Sequence, residues 1–154
     1  MTTLNDVLAT ATGRSRAVLE YSQTTKRLVD SAKAPQFTAA DWAPLAELID
    51  VENFVRVGPF KEVMDWASYT EFLTSWAKSS EWDCTFQRLT ETPDVVFLEL
   101  EERSRSGDFS SVVNSVSVYE FNADNKIRRI AVYLQMELPA AGSVPSFDSA
   151  EGAQ

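Results

Sequence analysis

The first part of the chain repeats apolar residues at intervals of three and four positions, which is the spacing of a helix with one buried face. This run extends from Leu4 to about Ala34, and Pro35 ends it. Its apolar positions are Val7, Leu8, Ala11, Val18, Tyr21, Leu28 and Val29. The pattern predicts one long N-terminal helix, which Gly13 weakens because glycine inside a helix costs about 1 kcal/mol relative to alanine.

Two shorter helices are predicted next, with a strand between them. Thr38–Asp41 has the form of a capping box, which starts the second helix. Asn53–Val57 is predicted as a short strand, and Gly58–Pro59 ends it. The third helix begins at Asp65 or Ser68. Its apolar stripe consists of Trp66, Tyr69, Leu73 and Trp76.

From Trp82 onward, apolar and polar residues alternate, which is the period of β-strands. The predicted strands are Trp82–Thr90, Val95–Arg103, Ser111–Phe121 and Lys126–Met136. Ser104–Ser110 is predicted as a loop and Asn122–Asn125 as a four-residue turn. Helices that precede a run of antiparallel strands are typical of an α+β fold. We expect a single domain over residues 1–138 and a disordered tail over residues 139–154, which are small and polar.

The composition is that of one soluble domain. The chain has 154 residues, of which 44% are hydrophobic, enough to form a core. Its net charge of −9 disfavours binding to nucleic acid or to an anionic membrane, because both are negatively charged. No apolar run reaches the roughly 20 residues of a membrane span, and the N-terminus lacks the pattern of a signal peptide. These features predict a cytoplasmic protein.

The content of histidine and cysteine restricts the possible chemistry. The chain has no histidine, which excludes histidine-based triads, metal sites and acid–base catalysis. Cys84 is the single cysteine, so neither an intrachain disulfide nor a cysteine-based zinc site can form, and we expect this residue to be buried and inert. The sequence contains no glycine-rich phosphate loop and no compact set of carboxylates. We therefore predict no cofactor and no metal.

Three segments carry local patterns beyond this periodicity. They are Phe54–Pro59, Val95–Glu101 and Ser117–Ile127. Together with the order of the elements, they resemble the nuclear transport factor 2-like (NTF2-like) superfamily, in particular its SnoaL-like branch of polyketide cyclases and ketosteroid isomerase-like enzymes. The resemblance covers residues 4–138 and implies a cone-shaped α+β barrel, in which three helices pack on a strongly curved antiparallel sheet. The open end of such a cone is an apolar pocket for a small molecule.

The sequence departs from the residues that particular members of this superfamily use. Ketosteroid isomerase has a catalytic aspartate on the first strand, where this chain has Val55, Arg56 and Val57. The final-strand aspartate of limonene epoxide hydrolase corresponds to Val132 by this resemblance. Dehydratases of the scytalone type use histidines, which this chain lacks. The resemblance therefore implies the fold and a pocket, and it supports none of these three activities.

The faces of the sheet follow from the predicted hairpins, because side chains alternate along each strand. A hairpin centred on Gly107 pairs Glu99 with Ser115. The inner, pocket-lining face then contains Phe97, Glu99, Glu101, Val113, Ser115, Ser117, Tyr119, Ile130, Val132 and Leu134. The outer face is then flat and apolar, and we expect a homodimer through it. Alternation alone also allows the reverse, with the aliphatic face on the helices and with Glu99 and Glu101 in solvent.

Three residues form the candidate catalytic group. Arg56 lies on the first strand, where the resemblance places the pocket, and its guanidinium suits a carboxylate or an enolate oxygen. Glu99 is the candidate proton donor or acceptor, and Tyr119 is the candidate hydrogen-bond donor to a carbonyl oxygen. The candidate ligand-binding residues are Tyr21, Phe54, Trp66, Tyr69, Phe97, Ser117 and Val132. Each candidate has a structural alternative as a surface arginine, a solvated glutamate or a core residue.

These observations predict a cofactor-free enzyme that acts on a hydrophobic small molecule by proton transfer, giving isomerisation, cyclisation or elimination. The alternative is a non-catalytic protein of the same fold, which binds a small molecule or serves as a dimeric accessory subunit. The missing family carboxylates on the first and last strands favour this alternative. A cavity that encloses both Arg56 and Glu99 would favour the enzyme.

Overall fold

The structure, a computed structural model, describes residues 2–137. Within these residues, the α-helices are α1 (Leu4–Leu8), α2 (Gly13–Ser31), α3 (Ala43–Ala46) and α4 (Trp66–Ser79). A 3₁₀-helix at Ala39–Trp42 precedes α3. The strands are β1 (Val55–Val57), β2 (Val63–Met64), β3 (Glu81–Glu91), β4 (Val95–Ser106), β5 (Phe109–Phe121) and β6 (Ile127–Met136). The predicted tail of residues 139–154 lies outside the described residues.

The prediction of one long N-terminal helix is wrong, because residues 9–12 separate α1 from α2. Gly13 has a φ of +60°, a left-handed conformation that glycine adopts easily and that does not continue an α-helix. The preceding residue, Thr12, is extended. The two helices still pack against each other, so the apolar periodicity runs through the break.

Side-chain caps fix the starts of two later helices. The capping box predicted at Thr38–Asp41 is present, and the backbone N–H of Thr38 donates to Asp41 Oδ2 at 2.8 Å. The cap of α4 is Asp65, whose Oδ1 accepts from the backbone N–H of Ser68 at 2.8 Å. Of the two predicted starts of this helix, Asp65 is therefore the correct one.

The strands form one sheet in the order β2-β1-β6-β5-β4-β3. All neighbouring strands are antiparallel except β1 and β6, which are parallel. The helices pack on this mostly antiparallel sheet, so the predicted α+β fold is confirmed. The sequence pattern does not predict β2, because two residues are too few to show an alternation.

The turn between β4 and β5 is shorter than predicted. The expected loop at Ser104–Ser110 is wrong, because both strands continue to a two-residue turn at Gly107 and Asp108. Gly107 has a φ of +61° and Asp108 has a negative φ, which is the pattern of a type II′ turn with glycine in its first central position. Placing the turn between these residues, instead of on Gly107 alone, moves the β4–β5 pairing by one residue.

Because of this one-residue difference, each side chain of β4 points to the opposite face of the sheet from the one predicted. Glu99 pairs with Val116, whereas the sequence predicted Ser115 as its partner. The next hairpin keeps its predicted faces, since Ser117 pairs with Val132 on the inner face. The predicted inner face is therefore correct for β5 and β6 and wrong for β4.

The inner face of the sheet packs under α2 and α4 and forms the core. Val96 and Leu98 of β4 have no exposed surface there. Trp42 is also buried and donates from Nε1 to Thr74 Oγ1 at 2.9 Å, which joins the 3₁₀-helix to α4. No helix among residues 2–137 is both long and apolar enough to cross a membrane.

Candidate functional site

A row of paired residues crosses the inner face of the sheet from β1 to β4. Arg56 of β1 stands beside Ile130 of β6, and Ile130 pairs with Tyr119 of β5. Tyr119 in turn pairs with Val96 of β4. Directly paired residues point to the same face of a sheet. Because Val96, Tyr119 and Ile130 are buried under the helices, the register places the side chain of Arg56 inside the cone.

The guanidinium of Arg56 lies over the ring of Tyr69, with Cζ 4.8 Å from the ring centroid. This is the geometry of a cation–π interaction. Within residues 2–137, Arg56 forms no ion pair and no side-chain hydrogen bond. The arginines that do pair with carboxylates are Arg16, Arg88, Arg103, Arg105, Arg128 and Arg129. Arg56 therefore brings a half-buried positive charge without an anion into the cone.

Two buried tyrosines lie close to Arg56. The rings of Tyr21 on α2 and Tyr119 on β5 meet edge to face, with 5.8 Å between their centroids. The hydroxyl of Tyr21 is buried and has no hydrogen-bond partner among the described residues. Burial raises the pKa of Tyr21 well above its usual value, Tyr69 and Tyr119 add to the rise, and Arg56 opposes it. Tyr21 therefore keeps its proton and can donate it in a hydrogen bond.

The same face continues from Tyr119 along β5 towards the β4–β5 turn. Burial raises the pKa of Tyr119, and the side chains of Ser22 and Ser117 oppose this rise. Ser117 and Val132 pair with each other and are only partly buried, so they line the inner face beside the tyrosines. Ser115 lies two residues nearer that turn than Ser117, and its hydroxyl is buried without a hydrogen-bond partner in the part of the chain that the structure describes.

An aromatic cluster holds the ring of Tyr69 in place. The ring of Phe54 stacks on Tyr69 at 6.2 Å and meets the edge of Trp66 at 5.2 Å. All three residues are buried. Phe54 and Trp66 thus belong to the core and hold in place the ring of Tyr69, over which the Arg56 guanidinium lies.

The prediction that Glu99 lies inside the cone is wrong. Its pairing with Val116 places it on the outer face, where its carboxylate accepts from Arg88 Nε at 2.5 Å and from Arg88 Nη2 at 2.9 Å. The hydrogen bond and charge of Arg88 hold the pKa of Glu99 below its usual value. Phe97 pairs with Val118 on the same outer face, so its predicted place beside the ligand is also wrong. For β4, the structure confirms the alternative in which the aliphatic side chains pack on the helices.

The register that removes Glu99 from the cone brings Glu102 into it. Glu102 lies on the inner face of β4, and Trp82 Nε1 donates to its Oε1 at 2.8 Å. Its charge contributes to the raised pKa values of Tyr119 and Cys84, so it lies near both. The sequence pattern did not single out Glu102, although it continues a series of buried residues at two-residue spacing. That series is Val96, Leu98 and Leu100.

No protein-family model and no curated protein sequence matches this chain. Solved structures match its topology. An NTF2-like protein of unknown function from Exiguobacterium sp. 255-15 aligns with a TM-score of 0.58 and 14% identity, over 75% of this chain and 98% of its own. The protein has the NTF2-like fold. A proposed isomerase of the SnoaL-like family from Agrobacterium tumefaciens aligns with a TM-score of 0.53 and 14% identity, over 76% of this chain and 96% of its own.

A third structure with the NTF2-like fold is an epoxide hydrolase/cyclase-like enzyme, SalBIII, which has a role in pyran ring formation in the polyether salinomycin. It aligns with a TM-score of 0.58 and 17% identity, over 80% of this chain and 91% of its own. Identities this low show a shared fold. The chemistry of this chain has to be inferred from its own side chains.

Inside this NTF2-like cone, four elements bring their polar side chains together. Arg56 comes from β1, Tyr21 from α2, Tyr69 from α4 and Tyr119 from β5. Glu102 of β4 adds a carboxylate further along the same face, six residues of strand, or about 20 Å, from the row of paired residues that contains Arg56 and Tyr119. The arrangement combines a cation, neutral hydroxyl donors and a carboxylate, which are the groups that proton transfer next to a carbonyl requires.

Proposed function

We propose that the protein binds a hydrophobic small molecule inside the cone and transfers a proton on it without a cofactor, giving isomerisation, cyclisation or elimination. The observation that carries the proposal is the guanidinium of Arg56, which is half-buried on Tyr69 without an anionic partner among residues 2–137. A positive charge is costly inside a protein unless an anion compensates it. A ligand oxygen that carries or develops negative charge would supply this anion.

Tyr21 and Tyr119 support the same role for this part of the cone. Their raised pKa values keep both phenols protonated, so they offer O–H donors and no negative charge. Donors that are already in place in a buried site stabilise an oxyanion more than solvent does. Arg56 and Tyr21 are therefore assigned to hold a carboxylate of the ligand, and Tyr119 is assigned to stabilise the oxygen of an enolate.

Glu102 is the proposed proton acceptor, and it would act on a part of an extended ligand away from Arg56, because six residues of β4, about 20 Å, separate it from the row of paired residues that contains Arg56. It would remove a proton from a carbon next to a carbonyl group, and the C–H electron pair would form the new C=C bond. The carbonyl π electrons would move to the oxygen, where the hydroxyl of Tyr119, which lies within reach of the charge of Glu102, would stabilise the enolate. Return of the proton from Glu102 to a different carbon completes an isomerisation. The hydrogen bond from Trp82 holds one oxygen of Glu102 and orients the carboxylate for this role.

The known structures of this fold support an enzyme without defining its reaction. SalBIII is described as epoxide hydrolase/cyclase-like, and the protein from Agrobacterium tumefaciens as a proposed isomerase. Both descriptions apply to those proteins. Cyclisation and isomerisation are therefore among the reactions to test here.

Two probes test the proposal. Isothermal titration with 2-naphthoate, a planar apolar carboxylate, measures binding at Arg56. We expect Arg56→Ala to raise the Kd on the order of 10- to 100-fold, since a charged hydrogen bond is lost. Arg27→Ala, at an exposed position on α2, is the matched control and leaves the Kd unchanged. An equal Kd for wild type and Arg56→Ala contradicts the proposed binding site.

Deuterium exchange into 2-tetralone, followed by NMR, measures proton transfer next to a carbonyl. The wild-type protein is expected to accelerate the exchange above the rate in buffer, and Tyr119→Phe is expected to remove most of this acceleration. Binding of 2-naphthoate through Arg56 without any acceleration would instead favour the alternative, a non-catalytic protein that binds a small molecule or serves as an accessory subunit.

We also propose that the chain forms a homodimer through the outer face of the sheet. A groove of about 750 Å³ crosses this face, and its lining includes Tyr133 and the pair Asn114 and Gln135. Tyr133 is 63% exposed and Val112, on the same face, is 43% exposed. Exposed aromatic and aliphatic residues on a sheet face are typical of a protein interface.

A further inference from the structure

We infer that the cone contains a second polar subsite at Ser115, so that its ligand carries two oxygen functions at opposite ends of an apolar body. The inference rests on the proposed function, because the first of these oxygens is the one held by Arg56. It adds the chemical class of the ligand, namely a hydrophobic acid or enolate with a distant neutral hydroxyl or carbonyl group.

The observation behind this inference is an unsatisfied hydroxyl. Ser115 is 2% exposed, and its Oγ has no hydrogen-bond partner among residues 2–137. Within those residues, the hydroxyl of Tyr21 is the other buried side-chain oxygen without a hydrogen-bond partner. Buried polar atoms are almost always hydrogen-bonded, because an unmade hydrogen bond costs about 1–3 kcal/mol. Two such atoms in one cone point to a ligand that satisfies both.

The two hydroxyls lie in different parts of the cone. Tyr21 contacts Tyr119, and Ser115 stands four residues along β5 from Tyr119 on the same face. At a rise of about 3.3 Å per residue, the Cα atoms of Tyr119 and Ser115 are roughly 13 Å apart. A single small polar group therefore cannot reach both, whereas a molecule of the size of a medium-chain acid can.

The surroundings of Ser115 define the second oxygen as neutral. Its partners across the sheet on the inner face are Leu100 and Leu134, which are aliphatic. Val132, beside Ser117, continues this apolar lining towards the tyrosines. A second anionic group at Ser115 would be repelled by the carboxylate of Glu102, the next inner-face residue of β4 after Leu100, while a hydroxyl or carbonyl group would gain one hydrogen bond.

A double-mutant cycle between the ligand hydroxyl and Ser115 tests the inference. The probes are alkanoates of eight, ten and twelve carbons and the ω-hydroxyalkanoates of the same lengths, titrated into the full chain by calorimetry. For at least one length, we expect the hydroxylated acid to bind wild type about five- to tenfold more tightly than its parent. Ser115→Ala is expected to abolish this difference, and Ser110→Ala, at an exposed position on β5, is expected to retain it.

Thermal unfolding gives a second measurement on the same variants. Because the Ser115 hydroxyl is unsatisfied, Ser115→Ala is expected to be as stable as wild type or more stable. Ser115→Cys, which keeps the size of the side chain and only a weak donor, is expected to lose most of the preference for the hydroxylated acids. A clear loss of stability in Ser115→Ala would show that the hydroxyl already has a partner and would overturn the inference.

The failures of the two proposals are distinguishable. If no alkanoate binds, or if binding does not depend on Arg56, the proposed function fails and the inference fails with it. If alkanoates bind through Arg56 but the ω-hydroxyl has the same effect in wild type and Ser115→Ala at every length, the second subsite is absent and the Arg56 site stands.

Discussion

Glu99 and Glu102 stand three residues apart on β4, and this odd spacing places them on opposite faces of the sheet. Glu99 is neutralised by Arg88 on the outer face, whereas Glu102 lies inside the cone with a hydrogen bond from Trp82. Two carboxylates that look equivalent in the sequence therefore have different roles. A shift of one residue in the β4–β5 pairing decides which of the two carboxylates lies inside the cone.

Replacement of Glu102 tests this assignment directly. Glu102→Gln keeps the size of the side chain and its place beside Trp82 but removes the proton acceptor. We expect the protein-catalysed rate of deuterium exchange into 2-tetralone to fall by about 10²- to 10⁴-fold, which is the usual contribution of a general base. Glu99→Gln is the matched control and should exchange at the wild-type rate. The reverse result, with Glu99→Gln inactive, would contradict the register-based assignment.

Cys84 reports on the environment of Glu102 through its own reactivity. Burial, followed by the charges of Glu102 and Asp83, raises the pKa of the Cys84 thiol to about 11. Its thiolate fraction at pH 8 is then about 240-fold smaller than that of a free cysteine with a pKa near 8.5. We expect alkylation by iodoacetamide to be correspondingly slow at pH 8 and to accelerate up to about pH 11.

The substitution Glu102→Gln should change this alkylation profile in a defined direction. Removal of a negative charge beside the thiol stabilises the thiolate, so the midpoint of the profile shifts to lower pH. Asp94→Asn, at an exposed position in the connection between β3 and β4, serves as the control and leaves the midpoint unchanged. A midpoint near 8.5 in wild type would show that the thiol is not in the partly buried environment described here.

At the scale of the elements, the β4–β5 turn decides which carboxylate enters the cone. Gly107 has a φ of +61°. A residue with a Cβ in this conformation destabilises the folded state by about 1–3 kcal/mol. We expect Gly107→Ala to lower the free energy of unfolding by this amount in chemical denaturation. Asp108→Ala, at the neighbouring turn position with a negative φ, should have little effect. Equal losses in the two variants would indicate that the turn is not of type II′.

Most elements are predictable from the sequence because their signals are local. The cap at Asp65 and the alternation from Trp82 onward predict α4 and the four long strands. The break at Gly13 and the exact turn at Gly107 are not predictable in this way, since a glycine in the sequence does not indicate whether its φ is positive or negative. Ser104–Ser110 is small and polar, so its composition fits a loop and a pair of strand ends equally well.

At the scale of the whole molecule, the site combines residues that are distant in sequence. Tyr21, Arg56, Tyr69 and Tyr119 come from four different elements, and no spacing between them signals that they meet. The resemblance to the NTF2-like superfamily predicted that Arg56 points into a pocket, and the register of β1 with β6 places Arg56 on the inner face of the sheet. The position of Glu102 required the pairing of all three long hairpin strands, which alternation alone does not fix.

The proposed homodimer is the property of the whole molecule that a single substitution tests most clearly. In a two-fold symmetric interface, each residue of the outer face contacts the same face of the partner, so a new charge there is introduced twice. Tyr133→Glu should therefore weaken association on the order of 30-fold or more, as expected for loss of a central aromatic residue. Analytical ultracentrifugation should show wild type at twice the 17.2 kDa chain mass and Tyr133→Glu at the chain mass.

Phe60→Glu is the matched control for this experiment, because Phe60 is 80% exposed and lies in the connection between β1 and β2, outside the strands that form the sheet face. It should remain a dimer. A wild-type protein that sediments as a monomer at all concentrations, or a Phe60→Glu variant that dissociates while Tyr133→Glu does not, would contradict the interface. Retention of 2-naphthoate binding by monomeric Tyr133→Glu would further show that the cone, which is formed within one chain, functions without the partner.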